Sequence, residues 1–118
     1  MAVIYEVTLH VRSEIADAYL AWLREHIAEM LALPGFEAAE LHALITETST
    51  EHGWCVRYRL HDRNALDDYL REHAPRMRAA GIARFGDGFR AERRVLTPHM
   101  DVQVARAQDA QERPPLTR

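Results

Sequence analysis

The sequence predicts an α+β domain built from two strand–helix–strand units, and three observations support this fold class. Residues Val3 to Val11 alternate between apolar and polar side chains, as in a strand with one buried face. Two later stretches repeat apolar residues at the three- and four-residue spacing of amphipathic helices. These two stretches also resemble each other, which indicates an internal duplication.

The first half predicts a strand, a helix and a second strand. Val3, Tyr5, Val7, Leu9 and Val11 share one side of the first strand. Ser13 is a suitable N-cap for a helix that continues to about Leu33, where Pro34-Gly35 should end it. Phe36 to Glu47 is expected to form the second strand.

The second half repeats this order. The polar stretch Thr48 to Gly53 predicts a hairpin loop, and Trp54 to Leu60 predicts a third strand with one apolar and one basic face. Asp62 should cap a second helix in which Pro75 produces a kink or a new turn. We expect Gly81 to end this helix, and Phe89 to Thr97 to form the fourth strand.

The internal repeat determines the predicted topology. Trp22-Leu23-Arg24-Glu25-His26 and Met30 correspond to Tyr69-Leu70-Arg71-Glu72-His73 and Met77 at a constant offset of 47 residues (22 to 69, 30 to 77). A duplicated strand–helix–strand unit predicts the ferredoxin-like βαββαβ fold, a four-stranded antiparallel sheet of order 4-1-3-2 with both helices on one face. The alternative is chance similarity between two amphipathic helices, which share Leu, Arg and Glu because these are good helix formers.

One face of this sheet should carry no helices. Its central strands would present polar and basic side chains there: Glu6, Thr8, His10, Cys55, Arg57, Arg59 and His61. This face either meets water or packs against the same face of a second copy, which would give a dimeric α/β barrel.

Composition narrows the functional classes. The chain of 118 residues is long enough for one domain, which we place at residues 1–98, followed by a polar C-terminal tail at 99–118. A net charge of −3 argues against non-specific nucleic-acid binding, because it supplies no positive field for phosphates. The single cysteine, Cys55, fits a reducing compartment. Met1 to Val11 has no basic start, and polar Glu6, Thr8 and His10 interrupt its apolar residues, so we expect neither a signal peptide nor a membrane span there. We therefore expect a cytoplasmic protein.

Several short runs resemble a bacterial domain-of-unknown-function family. They are Ile4-Tyr5-Glu6-Val7-Thr8, Tyr19-Leu20-Ala21-Trp22-Leu23 with His26 and Met30, Leu33-Pro34-Gly35-Phe36, Tyr58-Arg59-Leu60, Tyr69 to Pro75 and Arg84-Phe85-Gly86. That family is similar to the dimeric α/β-barrel superfamily, whose branches include antibiotic-biosynthesis and haem-degrading monooxygenases. The resemblance covers Met1 to Leu96 and implies a ferredoxin-like fold and a homodimer. It transfers no catalytic residues to this chain.

Two groups of residues are candidate ligand-binding sites. On a helical wheel His26 and His73 face the apolar side of their helices, so they should line the cleft between helices and sheet together with Trp22 and Tyr69. The alternative is a pair of partly buried histidines that are hydrogen-bonded to neighbours. The second group, Glu6, His10, Arg57 and Arg59, lies on the open sheet face and could bind an anionic substrate or only pair its own charges.

We predict no metal site and no cofactor. His26 and His73 should be offset by about 8 to 9 Å along antiparallel helices and about 10 Å across them. Ligands of one zinc ion must lie within about 4 Å of each other. The chain also contains no phosphate-binding glycine loop and no HExxH sequence.

Two functional classes remain open. The first is a homodimer that binds a small molecule or serves a sensing or structural role. The second is a cofactor-independent enzyme, such as a monooxygenase or an isomerase, that acts on a small hydrophobic substrate. An enclosed cavity of about 300 Å³ or more that contains His26 or His73 would favour the enzyme.

Overall fold

The computed structural model describes residues 1–45 and 48–104 of the chain. The element order is β1 (Val3–Arg12), a 3-10 turn (Ser13–Ile15), α1 (Ala16–Leu31), β2 (Phe36–Ala43), β3 (Glu51–Leu60), α2 (Arg63–Glu72), α3 (Ala74–Phe85) and β4 (Phe89–Leu96). The predicted tail at 99–118 is described only as far as residue 104, and residues 99–104 belong to no helix or strand.

The sheet has the predicted topology. Its strand order is β2-β3-β1-β4, which is 4-1-3-2 counted from the other edge, and all neighbouring strands are antiparallel. The two central strands, β1 and β3, pair along their full lengths from Val3 opposite Leu60 to Arg12 opposite Glu51. The ferredoxin-like α+β fold is therefore confirmed.

The hydrophobic core lies between the helices and one face of the sheet. Alternation along β1 and β3 buries one row from each strand, and the helices add residues from their apolar sides; the largest members are Tyr5, Trp54, Tyr58, Tyr19, Leu23, Met30, Leu66, Tyr69 and Met77. The predicted apolar sides thus face the helices.

Two local features define the start of α2 and its close contact with the chain after α1. Asp62 caps α2, as predicted, by accepting a 2.8 Å hydrogen bond from the backbone N–H of Ala65. Gly35 follows α1 with a φ of 85°, and a Cβ atom added there would lie 2.4 Å from the Cβ of Ala65. Only glycine suits this position, because it permits both the left-handed backbone and the close approach of α2.

The second helical region confirms one prediction and contradicts another. It breaks at His73, and α3 begins at Ala74 with Pro75 in its first turn, which is the new turn that Pro75 predicted. The predicted end at Gly81 is wrong, because α3 continues to Phe85 and ends at Gly86, whose φ is 58°. Gly81 is instead buried inside α3, where the absence of a side chain leaves room for Trp22 and Phe89.

Ser13 also differs from its predicted role. It lies in the 3-10 turn rather than at the N-cap of α1, and its hydroxyl donates a 2.7 Å hydrogen bond to the backbone oxygen of Ser49. Strand β2 ends at Ala43 rather than at Glu47, and Glu47 lies outside the described residues. No helix in the described ranges is long and apolar enough to cross a membrane.

Candidate functional site

A cavity of about 560 Å³ that opens to solvent lies between the helices and the helix-facing side of the sheet. Strands β1 and β3 form its floor, α1 forms one wall, and α3 with β4 forms the other. Its lining includes aromatic, aliphatic and cationic side chains, among them Tyr5, Tyr19, Trp22, His26, Tyr58, Tyr69, Arg78, Phe89, Ala91 and Arg93. Its size falls in the range of about 300 to 1,000 Å³ that is usual for small-molecule sites.

Aromatic rings make up much of the wall near α1. The Tyr19 ring lies 5.5 Å from Trp22 and 5.0 Å from Phe89, measured between ring centroids. Gly81 makes this arrangement possible, because a Cβ atom there would lie 3.1 Å from the Trp22 ring and 3.3 Å from the Phe89 ring. The wall offers flat apolar surfaces on which a ring-containing ligand can pack.

His26 lies in this cavity beside Trp22. The imidazole stacks on the indole, with centroids 4.6 Å apart and an angle of 17° between the planes. Burial lowers the pKa of His26 below its usual value of 6.5, although nearby Glu29 acts in the opposite direction. The ring is therefore neutral at physiological pH and can accept a proton.

All four tyrosines of the chain line the cavity. The phenol oxygen of Tyr5 accepts a 3.0 Å hydrogen bond from Nη2 of Arg78. Burial raises the pKa of Tyr69 to about 12, and it raises the pKa values of Tyr19 and Tyr58 as well. The phenols of Tyr19, Tyr58 and Tyr69 therefore stay protonated at neutral pH and can donate hydrogen bonds to a ligand.

His73 does not line this cavity. It lies at the junction of α2 and α3, where its φ and ψ of −123° and −32° depart from those of a helix. Its Nδ1 is 3.0 Å from Nη2 of Arg76. The helical wheel placed His73 on the inner face because it assumed an unbroken helix, and the break changes the direction of the side chain. Trp22 and Tyr69, in contrast, do line the cavity.

The open sheet face brings Glu6 and Arg57 together. Nε of Arg57 donates a 2.8 Å hydrogen bond to one carboxylate oxygen of Glu6, and Nε of Arg94 donates to the other. The Glu6 side chain is only 3% exposed, whereas those of Arg57 and Arg94 are 47% and 65% exposed. The hydrogen bond from Arg94 is the main cause that lowers the pKa of Glu6, with Arg57 adding to it against the effect of burial.

The other two residues of that group are paired separately. Nε2 of His10 lies 3.3 Å from Glu92, and Nε of Arg59 lies 3.3 Å from Glu37. A smaller pocket of about 280 Å³ lies on the same face and includes Ile4, Leu96, Arg57 and Arg59. Among the described residues, no group of three or more His, Cys, Asp or Glu side chains is arranged to hold a metal ion.

Sequence reasoning missed the arginines of the cavity, of which Arg78 and Arg93 are not paired with a carboxylate among the described residues. Arg78 lies on α3 and Arg93 on β4, where Arg93 shares the helix-facing row with Phe89 and Ala91. The sequence of β4 indicated that Arg93 faces the helices, because Phe89, Ala91 and Arg93 follow one another at two-residue steps and so lie on the same side of the strand. For Arg78 no sequence signal was available, because its contact with Tyr5 joins residues 73 positions apart.

Comparisons with known proteins agree with the fold. SnoaB, described as a cofactor-independent oxygenase from Streptomyces nogalater, superposes with a TM-score of 0.63 at 13% identity, over 86% of this chain and 98% of SnoaB. The protein Rv0793 from Mycobacterium tuberculosis gives a TM-score of 0.62 at 21% identity, over 87% of this chain and 100% of Rv0793. A structure described as an antibiotic biosynthesis monooxygenase gives 0.60 at 18% identity, over 83% and 99% of the two chains. Identities this low establish a shared fold and nothing further.

Sequence comparison identifies the family of the chain, but the description of that family names no activity. A family model described as a domain of unknown function, DUF4286, matches residues 2–99. The comparison with curated proteins found no match.

Proposed function

Since the chain belongs to the DUF4286 family, whose description gives no activity, we propose a function from the cavity: the protein binds a small, largely apolar molecule between its helices and sheet. The observation that carries this proposal is the cavity of about 560 Å³, lined by aromatic and aliphatic side chains. A few polar groups among them, the phenols, His26 and Arg78, would orient the ligand. This combination is the usual composition of a ligand site.

A purely structural role for the residues around the cavity does not explain why the cavity exists. The helices and sheet pack closely elsewhere in the core, where Leu66 is 0% exposed, whereas this space opens to solvent and is left unfilled by side chains. A volume far larger than one water molecule, bordered by neutral phenols and an imidazole, is more easily explained by a ligand than by imperfect packing.

A fluorescent apolar probe tests the proposal directly. N-phenyl-1-naphthylamine should bind with micromolar affinity and gain fluorescence in the cavity. Ala91→Phe should reduce its affinity at least tenfold, because Ala91 lies on β4 inside the cavity. Ala43→Phe is the matched control, since Ala43 is an exposed strand residue on β2 outside the cavity, and its affinity should be unchanged. Failure of the probe to bind, or equal binding to both folded variants, would contradict the proposal.

A second candidate function is favoured by His26. Its ring is held against Trp22 in the cavity and is neutral at physiological pH, so it can act as a base toward an ionisable ligand. SnoaB, which shares the fold, is described as a cofactor-independent oxygenase. In this candidate reaction a bound phenol would transfer its proton to His26, and a ring carbon of the phenolate would form a bond to O₂. The resulting peroxide would take the proton back from His26, and loss of water with cleavage of the O–O bond and of the ring C–H bond would leave a quinone, so that each phenol and O₂ give one quinone and one water.

Oxygen uptake tests this second candidate. With 1-naphthol as substrate, the intact protein should consume O₂ above the uncatalysed rate. His26→Gln and His26→Phe should both abolish the excess while still binding N-phenyl-1-naphthylamine. The rate should increase with pH and level off near or below the ordinary histidine pKa of 6.5, because the pKa of His26 is lowered. Uptake that is unaffected by both substitutions would exclude His26 as the base.

A further inference from the structure

We propose that the cavity selects organic anions, with Arg78 and Arg93 together holding the carboxylate of an otherwise apolar molecule. This inference rests on the proposed binding function and specifies the chemical class of its ligand. It depends on two guanidinium groups that border one apolar cavity from the same wall, Arg78 on α3 and Arg93 on β4.

Arg78 is positioned by Tyr5. Its Nη2 donates the 3.0 Å hydrogen bond to the phenol oxygen of Tyr5, which fixes the guanidinium at the edge of the cavity. A guanidinium has five N–H donors, so one bond to a phenol leaves most of them available. No carboxylate among the described residues lies within 4.0 Å of Arg78, so its charge is not paired there.

The sheet register brings Arg93 near the same point. Tyr5 pairs with Val95 and Val7 pairs with Arg93 across β1 and β4, so Arg93 is the diagonal neighbour of Tyr5 on the helix-facing side. Diagonal neighbours in an antiparallel pair are about 7 to 8 Å apart, which long side chains can span. Arg93 likewise has no carboxylate partner within 4.0 Å in the described part of the chain. Both guanidinium groups can therefore reach one anionic group near the Tyr5 hydroxyl.

The charge of the cavity is opposite to that of the protein. The charged side chains that line it are Arg78, Arg90, Arg93 and Asp87, whereas the whole chain has a net charge of −3. Arg90 is already paired, with Nη1 2.9 Å from Glu51. Asp87 alone cannot neutralise the two remaining arginines, so the cavity retains a local positive charge.

These features of the cavity suit a ligand that is an amphipathic anion. The floor and the aromatic wall suit an apolar body, and paired guanidinium groups suit a carboxylate, which arginine binds through two parallel hydrogen bonds. A cation would be repelled by Arg78 and Arg93, and a neutral molecule would leave their charge without a partner.

Competition against N-phenyl-1-naphthylamine tests the inference with two ligands of one shape. 2-Naphthoate should displace the probe at least tenfold more effectively than 2-naphthamide, which has the same rings without the charge. Raising NaCl from 0.05 to 0.5 M should weaken only the acid. Arg78→Gln and Arg93→Gln should each reduce the affinity for 2-naphthoate about fivefold or more and leave that for 2-naphthamide within twofold. Arg63→Gln, an exposed substitution on α2 outside the cavity, should change neither.

The outcomes separate the inference from the function on which it rests. If the probe binds but acid and amide compete equally, or if neither cavity arginine affects the preference, the anion inference fails and the binding function stands. If the probe does not bind and direct titration of 2-naphthoate leaves the tryptophan fluorescence unchanged, both fail. If Arg78→Gln folds poorly, Arg93→Gln still tests the inference. The side chain of Arg93 makes no hydrogen bond to the described residues, so this substitution breaks none.

Discussion

Replacing Glu6 by Gln should destabilise the protein at neutral pH and not at low pH. Glu6 is 3% exposed and accepts hydrogen bonds from Arg57 and Arg94 on the two flanking strands. A hydrogen bond to a charged group contributes about 1.5 to 3 kcal/mol. The lower end applies, because the side chains of Arg57 and Arg94 are 47% and 65% exposed, so that water solvates both guanidinium groups when the charge of Glu6 is lost. We expect Glu6→Gln to reduce the free energy of unfolding by about 1 to 2 kcal/mol at pH 7.

The pH dependence follows from the lowered pKa of Glu6. The unfolded chain takes up this proton near the ordinary value of 4.5, whereas the folded chain takes it up at lower pH. The stabilisation is therefore complete above pH 4.5, decreases as the pH falls further and disappears below the pKa of the folded state.

Urea denaturation at fixed protein concentration, from pH 7 to pH 3, measures this difference. Glu92→Gln is the control on the same face, since the Glu92 side chain is 70% exposed and its loss should cost less than about 0.5 kcal/mol. The reasoning is refuted if Glu6→Gln matches the control at pH 7, or if its deficit persists unchanged at pH 3.

Three further predictions concern the fold and its assembly. Asp62→Ala removes the cap of α2 and should reduce the free energy of unfolding by about 1 kcal/mol in urea. Gly35→Ala should cost more than Gly86→Ala: both glycines have positive φ, but an added Cβ atom contacts Ala65 at 2.4 Å only at Gly35. Equal losses for the two would contradict the proposed close approach. We expect sedimentation equilibrium to give twice the chain mass, with Ile4→Lys on the open sheet face weakening the dimer; a monomer at micromolar concentration would contradict the barrel.

The central strands were predictable because each has one buried face. Apolar and polar residues alternate from Val3 to Val11 and from Trp54 to Leu60, so only one face of each strand can be the buried one. A shift of the strand by one residue would turn the buried apolar row toward solvent. The edge strands were less well predicted. They are exposed along much of their length, so neither the end of β2 at Ala43 nor the placement of Arg93 produced a strong pattern.

The second helical region was predicted only in part. The sequence predicted the new turn at Pro75, but the helical wheel that placed His73 on the inner face treated Leu66 to Met77 as one continuous helix, and the predicted end at Gly81 is wrong. The break at His73 reorients that residue, and Gly81 serves packing against Trp22 and Phe89 rather than helix termination. The helix propensity of glycine could not show whether Gly81 ends the helix or makes room for other side chains. The second role depends on Trp22, 59 positions earlier in the chain, and on Phe89, 8 positions later (81 − 22 and 89 − 81).

The two faces of the sheet differ in how their positive charge is used. On the open face Arg57 and Arg94 share Glu6, and Arg59 pairs with Glu37, so an external anion would compete with carboxylates of the protein itself. On the helix side Arg78 donates a hydrogen bond to the phenol of Tyr5 and has no carboxylate partner in the part of the chain that the structure describes. An anionic ligand therefore gains more from the cavity than from the open face, although the sequence alone suggested the open face.

Arg57→Gln distinguishes the two faces in one variant. It removes the 2.8 Å bond to Glu6 and should lower stability in urea, because the buried carboxylate loses one of its two donors. Its affinity for 2-naphthoate should equal that of the unmodified protein, because Arg57 lies on the opposite side of the sheet from the cavity. A loss of 2-naphthoate affinity as large as that of Arg78→Gln would place the anion on the open face instead.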